Sequence, residues 1–251
     1  MIQIKPEDSA ATPIRAIFFD LDDTLIDDTE SLVGCAEAAA AELAPACGVS
    51  PAVLGRSYVE ASIAFWTALG PDTKAPARGD IRPAMWRNAL RRHGVDDREL
   101  ARRLAYRFDA LRLDGVAYFP DVLPVLKVLH GKYVLGIITN GFAETHAEKI
   151  ARLELDKFFD HVLLAGEMAL AKPDPQIFAR AMQLAGTSAE QSLMVGDRFE
   201  RDIRGAQDAG MRAIWVNVRG EATPPGLRPA DAAIDSIAQL PAALRSLERS
   251  R

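Results

Sequence analysis

Two aspartates, Asp20 and Asp22, stand two residues apart at the end of the apolar run Ile14 to Phe19, in the stretch Phe18-Phe19-Asp20-Leu21-Asp22-Asp23-Thr24-Leu25. A short continuous apolar run reads as a buried strand. A strand that delivers acids to its carboxyl end matches how open α/β sheets build sites, in the crevice where the strands stop. Carboxylates gathered there need a cation or a proton. The plainer reading is an Asp-rich turn, because Asp side chains bond nearby backbone amides. What the rest of the chain supplies decides between the two.

Three later strand ends carry complementary groups. The apolar run Val134 to Ile138 stops at Thr139-Asn140-Gly141, where a hydroxyl and turn N–H groups suit an anion. Lys172-Pro173-Asp174-Pro175 places a cation in a rigid loop before a helix expected over 175–185, although most lysines only solubilise. Ser192 to Val195 leads into Gly196-Asp197-Arg198-Phe199-Glu200-Arg201-Asp202, two acids five apart, with a helix expected through Ile203 to Met211. Arg212 to Asn217 and Ala232 to Ile234 read as further strands and Pro241 to Leu247 as a closing helix, with a Pro-rich loop at Pro224, Pro225, Gly226 and Pro229. The four histidines, His93, His130, His146 and His161, are scattered and read as structural or exposed.

About ninety residues between the first acid loop and the second strand interrupt this pattern and read as helices. The first begins near Asp28 and is broken at Pro45-Ala46-Cys47-Gly48; Ser50-Pro51 then reads as an N-cap with Pro at the first helical position. Apolar residues recur at Leu54, Tyr58, Ala61, Phe65 and Leu69, and again at Leu100, Leu104, Phe108 and Leu111. The second stripe is introduced by Asp96 and Glu99 in capping-box spacing. Trp66, Trp86, Phe65 and Met85 read as the core of this block. From Arg78 to Arg112 ten Arg face five acids, Asp80, Asp96, Asp97, Glu99 and Asp109. Such a run reads as a solvated face with intrahelical pairs, or, more sharply, as Arg87 or Arg91 reaching an anionic group of a ligand, such as a carboxylate.

The chain has 251 residues, enough for one large domain plus an insertion, and 49% of them are apolar, the composition of a globular protein. No apolar run approaches the roughly 18 residues of a membrane span. The opening Met1 to Pro13 is polar, carries no secretory segment and is expected to be a loose tail. Cys35 and Cys47 have no metal-ligand spacing and are expected to be reduced, which makes the cytoplasm the expected compartment. A net charge of −5 gives no electrostatic footprint for a nucleic acid polymer.

Together and in this order, these segments resemble the haloacid dehalogenase-like hydrolase superfamily over about residues 14 to 220. Its pattern, Asp-x-Asp-x-Thr, a Thr or Ser after the second strand, a Lys and Gly-Asp-x-x-x-x-Asp, is matched by Asp20, Asp22 and Thr24, by Thr139, by Lys172 and by Gly196, Asp197 and Asp202. The resemblance implies an α/β fold: a Rossmann-like, doubly wound parallel sheet core at 14–26 and 118–251, a helical cap at 27–117, a tail at 1–13, and hinges near Asp27 and Tyr118. It implies a phosphatase that uses Mg²⁺ and an aspartyl phosphate, with Asp20 as nucleophile and Asp22 as general acid and base. Leu21, Asp22, Thr139, Asn140 and Lys172 would hold the phosphate. Asp20, Asp197 and the Asp22 carbonyl would bind the metal, with Asp202 ligating directly or through water. Thr139-Asn140-Gly141, Gly166-Glu167 and Trp215-Val216-Asn217 are similar to cap-bearing phosphatases of the pyrimidine 5′-nucleotidase and N-acylneuraminate-9-phosphatase types. The implied partner is a small phosphorylated metabolite, with no nucleic acid and no membrane, for a monomer or homodimer. Asp23 stands where the family often has Gly or Asn, and Arg201 where it often has Asn. The alternatives are a sugar phosphomutase, a 2-haloacid dehalogenase, whose pattern lacks the second acid, and a binding module without catalysis.

Overall fold

The computed structural model describes residues 12–68, 78–168 and 170–249. Among them six strands, β1 (Ala16–Phe19), β2 (Val134–Thr139), β3 (His161–Leu164), β4 (Ser192–Gly196), β5 (Arg212–Val216) and β6 (Ala232–Ile234), form one sheet. The order is β3-β2-β1-β4-β5-β6, and every pairing is parallel. Side chains alternate between the two faces of a strand, and both faces of β1 are covered. Ile17 and Phe19 pack with Val122, Leu126 and Leu244, whereas Ala16 and Phe18 pack with Ile177, Phe178 and Ile203. The first layer contains α5 (Val122–Leu129), α6 (Ala143–Arg152) and α9 (Leu240–Arg249); the second contains α7 (Pro175–Ala185) and α8 (Gly205–Asp208). This is the α/β, doubly wound arrangement that the resemblance implies. Its central strand lies between β2 and β4, so the chain ends after β1, β2 and β4 open into one crevice.

Expected and observed elements part in two places. The helix expected through 203–211 is a π-helical turn, Phe199–Arg204, followed by the short α8. It stops because Gly210 adopts a φ of 80° and the Met211 N–H turns back to the Ala206 carbonyl at 2.9 Å. β3, α5 and α6 were not expected: β3 has four residues, and α5 is almost uniformly apolar and shows no helical stripe.

The insertion consists of α1 (Thr29–Leu43), α2 (Pro51–Ala68), α3 (Arg78–Arg91) and α4 (Arg98–Gly115). Helix α1 packs on α2 and α4, and α3 packs on the same two, which closes a ring of four. Its centre is aromatic: the Tyr58 and Trp86 rings stack at 4.2 Å, and Phe108 lies 4.7 Å from Tyr58. Met85 belongs to this cluster, while Leu69 and the side chain of Trp66 fall outside the described residues. The break after α1 is a 3₁₀ turn, Pro45–Cys47, ended by Gly48 at a φ of 74°. Ser50 Oγ accepts from the Val53 N–H at 3.3 Å, so the expected cap of α2 forms. The cap of α4 is Asp97, which accepts from the Leu100 N–H at 2.9 Å, one residue beyond the expected Asp96. Asp96 is taken instead by Arg87, at 2.7 Å, and Arg91, at 2.9 Å, so these two arginines do not reach towards the crevice. The rest of the Arg run is mostly not intrahelical either: Arg92 pairs with Glu60 and Arg107 with Glu42, across helices. No described helix is long and apolar enough to cross a membrane.

Phe108 is fully buried between Tyr58, Trp86 and two guanidinium groups, those of Arg82 and Arg112. Phe108→Ala should therefore destabilise the protein by about 3–5 kcal/mol in urea unfolding; a loss below about 1 kcal/mol would refute this aromatic centre as the support of the four helices.

Candidate active site

Asp20 is the residue after β1, and its N–H bonds the Val195 carbonyl at 2.9 Å, which continues the β1 and β4 pairing by one step. The loop that follows is anchored by Leu21, Leu25 and Ile26, all fully buried, and closes on itself through the Asp23 N–H to the Ile26 carbonyl at 2.8 Å. Ile26 then bridges Tyr118, where the chain returns from the four helices. Asp23 has a φ of 59°, a left-handed conformation that Gly, Asn and Asp tolerate. Its carboxylate is not directed at the crevice alone: Oδ1 accepts from the N–H groups of Asp28 and Thr29, at 3.2 and 2.8 Å, and so caps α1. The extra charge at this departure from the family pattern thus serves the start of a helix.

Three carboxylates and one ammonium meet at the carboxyl edge of the sheet. Lys172 Nζ, itself buried, lies 2.6 Å from Asp20 Oδ1 and 2.6 Å from Asp202 Oδ1. Oxygens of Asp20, Asp197 and Asp202 lie within 4.8 Å of one another. Asp202 sits on the π-helical turn and its Oδ2 accepts from the Arg198 N–H at 2.9 Å. It can stand this close because residue 196 is glycine: a Cβ there would be 2.4 Å from Asp202 Oδ2. Asp197 pairs through Oδ2 with Arg198 Nε at 3.1 Å, while its buried Oδ1 has no hydrogen-bond partner among the described residues.

Burial raises the Asp20 carboxyl to about 6, against the pull of Lys172 and with the repulsion of Asp202. Burial, then Asp20 and Asp202, lift Asp197 to about 8. Lys172 would be lowered by burial, but the two carboxylates outweigh it and raise it. Lys172 and Arg198 together do not balance three acids. The set of hard carboxylate oxygens with one unpaired lobe has the chemistry of a site for a divalent cation.

Asp22 faces a different environment. Its Oδ1 accepts from Lys149 Nζ at 2.8 Å, and its Oδ2 lies 3.1 Å from His146 Nε2, both residues being on α6. His146 Nδ1 is 3.0 Å from the Phe142 carbonyl, which can only accept, so Nδ1 carries a proton. A bond between Nε2 and Asp22 then requires a second proton, held by one partner or the other. Burial pushes the Asp22 carboxyl up, but Lys149 and His146 overcome it and hold it well below the usual carboxylate range. His146, read from the sequence as structural or exposed, is buried beside the acid pair, and Lys149 carried no expectation. Their signal is a His and a Lys three apart at the start of the segment after Thr139-Asn140-Gly141, a spacing that shares a helix face once α6 is recognised.

Thr139 is buried at the end of β2 with its hydroxyl 3.4 Å from the Asn140 carbonyl. The Asn140 side chain bonds the Lys172 backbone twice, at 2.8 and 2.9 Å, and so ties the two loops; only the main chain of Asn140 is left to meet an anion. Gly166, in the turn after β3, supports this loop, since a Cβ there would lie 2.4 Å from the Gly141 carbonyl. Thr24 is buried, and its hydroxyl has no partner among the described residues. Arg201 is exposed. Each expected residue therefore lies at the carboxyl edge of β1, β2 or β4 or on the loop before α7.

Residues 14–210 match the family model described as haloacid dehalogenase-like hydrolase. The chain is 30% identical over 247 residues to the N-acylneuraminate-9-phosphatase of Mus musculus, covering 94% of this chain and 95% of the relative. It is 34% identical over 206 residues to the glyceraldehyde 3-phosphate phosphatase of Pyrococcus abyssi, covering 80% and 81%. A crystal structure of a 2-haloacid dehalogenase from Pseudomonas syringae pv. Tomato DC3000 superposes with a TM-score of 0.67 at 36% identity, covering 93% of this chain and 99% of that one.

The raised Asp197 has a measurable consequence without metal. Between its ordinary value near 3.8 and about 8, the folded protein keeps a proton that the unfolded chain releases, so stability falls as pH rises through that window. In EDTA, Asp197→Asn should melt at least about 2–4 °C above the unsubstituted protein at pH 8, with the gain fading towards pH 4. An equal or lower melting temperature at pH 8 would show that the carboxylates do not repel.

Proposed function

The chain belongs to the haloacid dehalogenase-like hydrolase family, and from that premise we propose that it is a Mg²⁺-dependent phosphatase of a small phosphorylated metabolite, with Asp20 as its nucleophile. The observation that carries this reading is the placement of two carboxylates in contrasting surroundings: Asp20 against Lys172, Asp22 against Lys149 and His146. Neighbouring acids held in different environments are suited to different roles.

Asp20 and Asp197 would hold Mg²⁺ with the Asp22 carbonyl, and Asp202 would add an oxygen directly or through water. The clustering of the three acids and the unpaired Asp197 Oδ1 support this assignment. Bound there, the cation would offset the repulsion between a phosphate and the carboxylates. Lys172 then neutralises charge on Asp20 and on the phosphoryl oxygens, while Thr139 and the main-chain N–H groups of Leu21, Asp22 and Asn140 orient the phosphoryl group. A carboxylate oxygen of Asp20 attacks phosphorus as the bond to the ester oxygen breaks, and Asp22 gives a proton to the departing alkoxide. His146 Nε2, 3.1 Å from Asp22 Oδ2, is placed to hand Asp22 that proton, which supports the role. Water next attacks phosphorus, loses its proton to Asp22, and phosphate leaves with Asp20 restored. Helices α1 to α4 act as the cap at 27–117, contacting the leaving group and excluding water.

The similarity to a solved 2-haloacid dehalogenase favours one other reading, displacement of halide from carbon. Halide leaves without protonation, so that chemistry gives Asp22 and its two partners no task. A phosphomutase would share the phosphoaspartate and differ in returning the phosphoryl group to a sugar.

The test is phosphate release from sialic acid 9-phosphate, glyceraldehyde 3-phosphate, nucleotides and sugar phosphates, beside halide release from 2-chloropropionate. The expected result is phosphate release that EDTA abolishes and Mg²⁺ restores, and that Asp20→Asn lowers by at least about 10³-fold. Halide release without phosphate release would overturn the phosphatase, and undiminished turnover by Asp20→Asn would overturn its nucleophile.

A further inference from the structure

Lys149 is almost entirely buried, at 3% exposure, on a helix that does not belong to the family's pattern of site residues. A buried ammonium is tolerated only where anions surround it, and here there are two. Nζ lies 2.8 Å from Asp22 Oδ1 and 2.5 Å from Asp28 Oδ1. Asp28 immediately precedes α1, at the crossing from the sheet into the four helices. It is held a second time by Arg112, 6% exposed and in the last turn of α4: Nη2 pairs with Asp28 Oδ1 and Nη1 donates to the Asp28 carbonyl at 2.7 Å. The crossing out of the helices follows three residues after Arg112, where α4 ends at Gly115. Asp22, Lys149, Asp28 and Arg112 therefore form one continuous row of alternating charge. It runs from the acid beside the nucleophile to the point where the helical block joins the sheet.

The row has an asymmetry. Lys149 belongs to α6 and is fixed to the sheet layer, whereas Arg112 belongs to the inserted helices and Asp28 to the crossing between them. A rotation of α1 to α4 about the crossings near Ile26 and Tyr118 moves Arg112 and Asp28 relative to Lys149. Nζ then cannot keep both carboxylates: it stays beside Asp22 and loses Asp28, so the ammonium that holds Asp22 Oδ1 is itself held on one side only. From this geometry we propose that Lys149 is a positioning residue for Asp22. Through Asp28 and Arg112 it makes the placement of the acid depend on the position of the helical block. The inference rests on the phosphatase reading and deepens it, since it assigns residues that act only through Asp22.

The experiment compares kcat/KM, which covers only the steps up to formation of the aspartyl phosphate, for two kinds of ester. One is p-nitrophenyl phosphate, whose leaving group departs without a proton; the other is the faster of sialic acid 9-phosphate and glyceraldehyde 3-phosphate, whose alkoxide needs one. Lys149→Met should lower kcat/KM for the alkyl ester by about 10²-fold, within the usual span of proton-transfer contributions, and for p-nitrophenyl phosphate by less than about 5-fold. Arg112→Gln, which touches no group of the acid pair, should show the same preference in weaker form and guards against a misfolded Lys149 variant. Combined with Asp22→Asn, Lys149→Met should cause no further loss, because a residue that acts only through Asp22 has nothing left to position. Equal losses on both esters, or an additive loss in the double variant, would overturn the positioning role while leaving the phosphatase standing. An unsubstituted protein that releases phosphate from neither ester would overturn the phosphatase reading and this inference with it.

Discussion

One buried ammonium holds the carboxyl edge of the sheet together. Lys172 Nζ stands 2.6 Å from each of two carboxylates, one just after β1 and one on the π-helical turn, and a third carboxylate lies beside them with an unpaired oxygen. Removing such a cation leaves buried anions uncompensated, a loss of several kcal/mol in typical cases. The backbone is arranged around this pair of contacts. Asn140 clasps the Lys172 backbone so that the loop before α7 cannot drift from the end of β2. Gly196 leaves the space into which Asp202 is pressed, and the π-helical turn carries that residue back under β4. Burial, with the mutual repulsion of three acids that Lys172 and Arg198 offset only in part, lifts Asp20 and Asp197 above their ordinary range and defines what a ligand of this site must bring.

Asp20 and Asp22 differ by two residues in sequence and by everything else in surroundings. The first continues a strand and shares Lys172 with Asp202; the second is turned to α6, where a lysine and a histidine take one oxygen each. Period-two alternation would place both on one side of an extended strand. The chain avoids this by leaving extended structure after Phe19 and closing a tight loop pinned by Leu21, Leu25 and Ile26. Three apolar side chains thus decide that two identical acids meet different cations, and the difference between them in proton affinity follows from that separation.

Much of this was legible in the chain itself. The strands ending at Phe19, Thr139 and Gly196 are short, apolar and bounded by turn residues, and α7 is announced by Asp174 as cap and Pro175 at its first position. The acids, Thr139 and Lys172 stand at those boundaries, so order along the chain became proximity in space once the sheet was parallel. His146, Lys149, Asp28 and Arg112 were not legible. They lie on three different elements, separated by up to 121 positions in their direct contacts, and a lysine on a helix has the same local signature whether it is solvated or buried. Arg112 was further hidden inside a run of arginines several of which, such as Arg92 and Arg107, pair across the four helices, a pattern that spacing within one helix cannot reveal. Asp97 and Asp96 show the same limit at shorter range: either could cap α4, and the choice is settled by Arg87 and Arg91 on another helix.

The four helices are joined to the sheet by more than their two chain crossings. Phe142, which follows the Thr139 loop, lies in the aromatic cluster of the insertion, with the Arg82 guanidinium 5.4 Å from its ring centre. Arg82 is held in turn by Tyr58 and Asp109, both within the helices. From α3, Arg78 reaches across to Glu148 on α6 with two hydrogen bonds, at 2.5 and 2.9 Å. Helix α6 is therefore grasped by the insertion near Phe142 at its start and at Glu148, between the two residues that hold Asp22. A displacement of the helical block is then not a free swing of a lid over a finished site, because it must break an apolar contact and a bidentate ion pair anchored on the same short helix that positions the acid. The arginines of the insertion, which by count alone look like a docking surface for an anion, are in large part the fasteners of this arrangement.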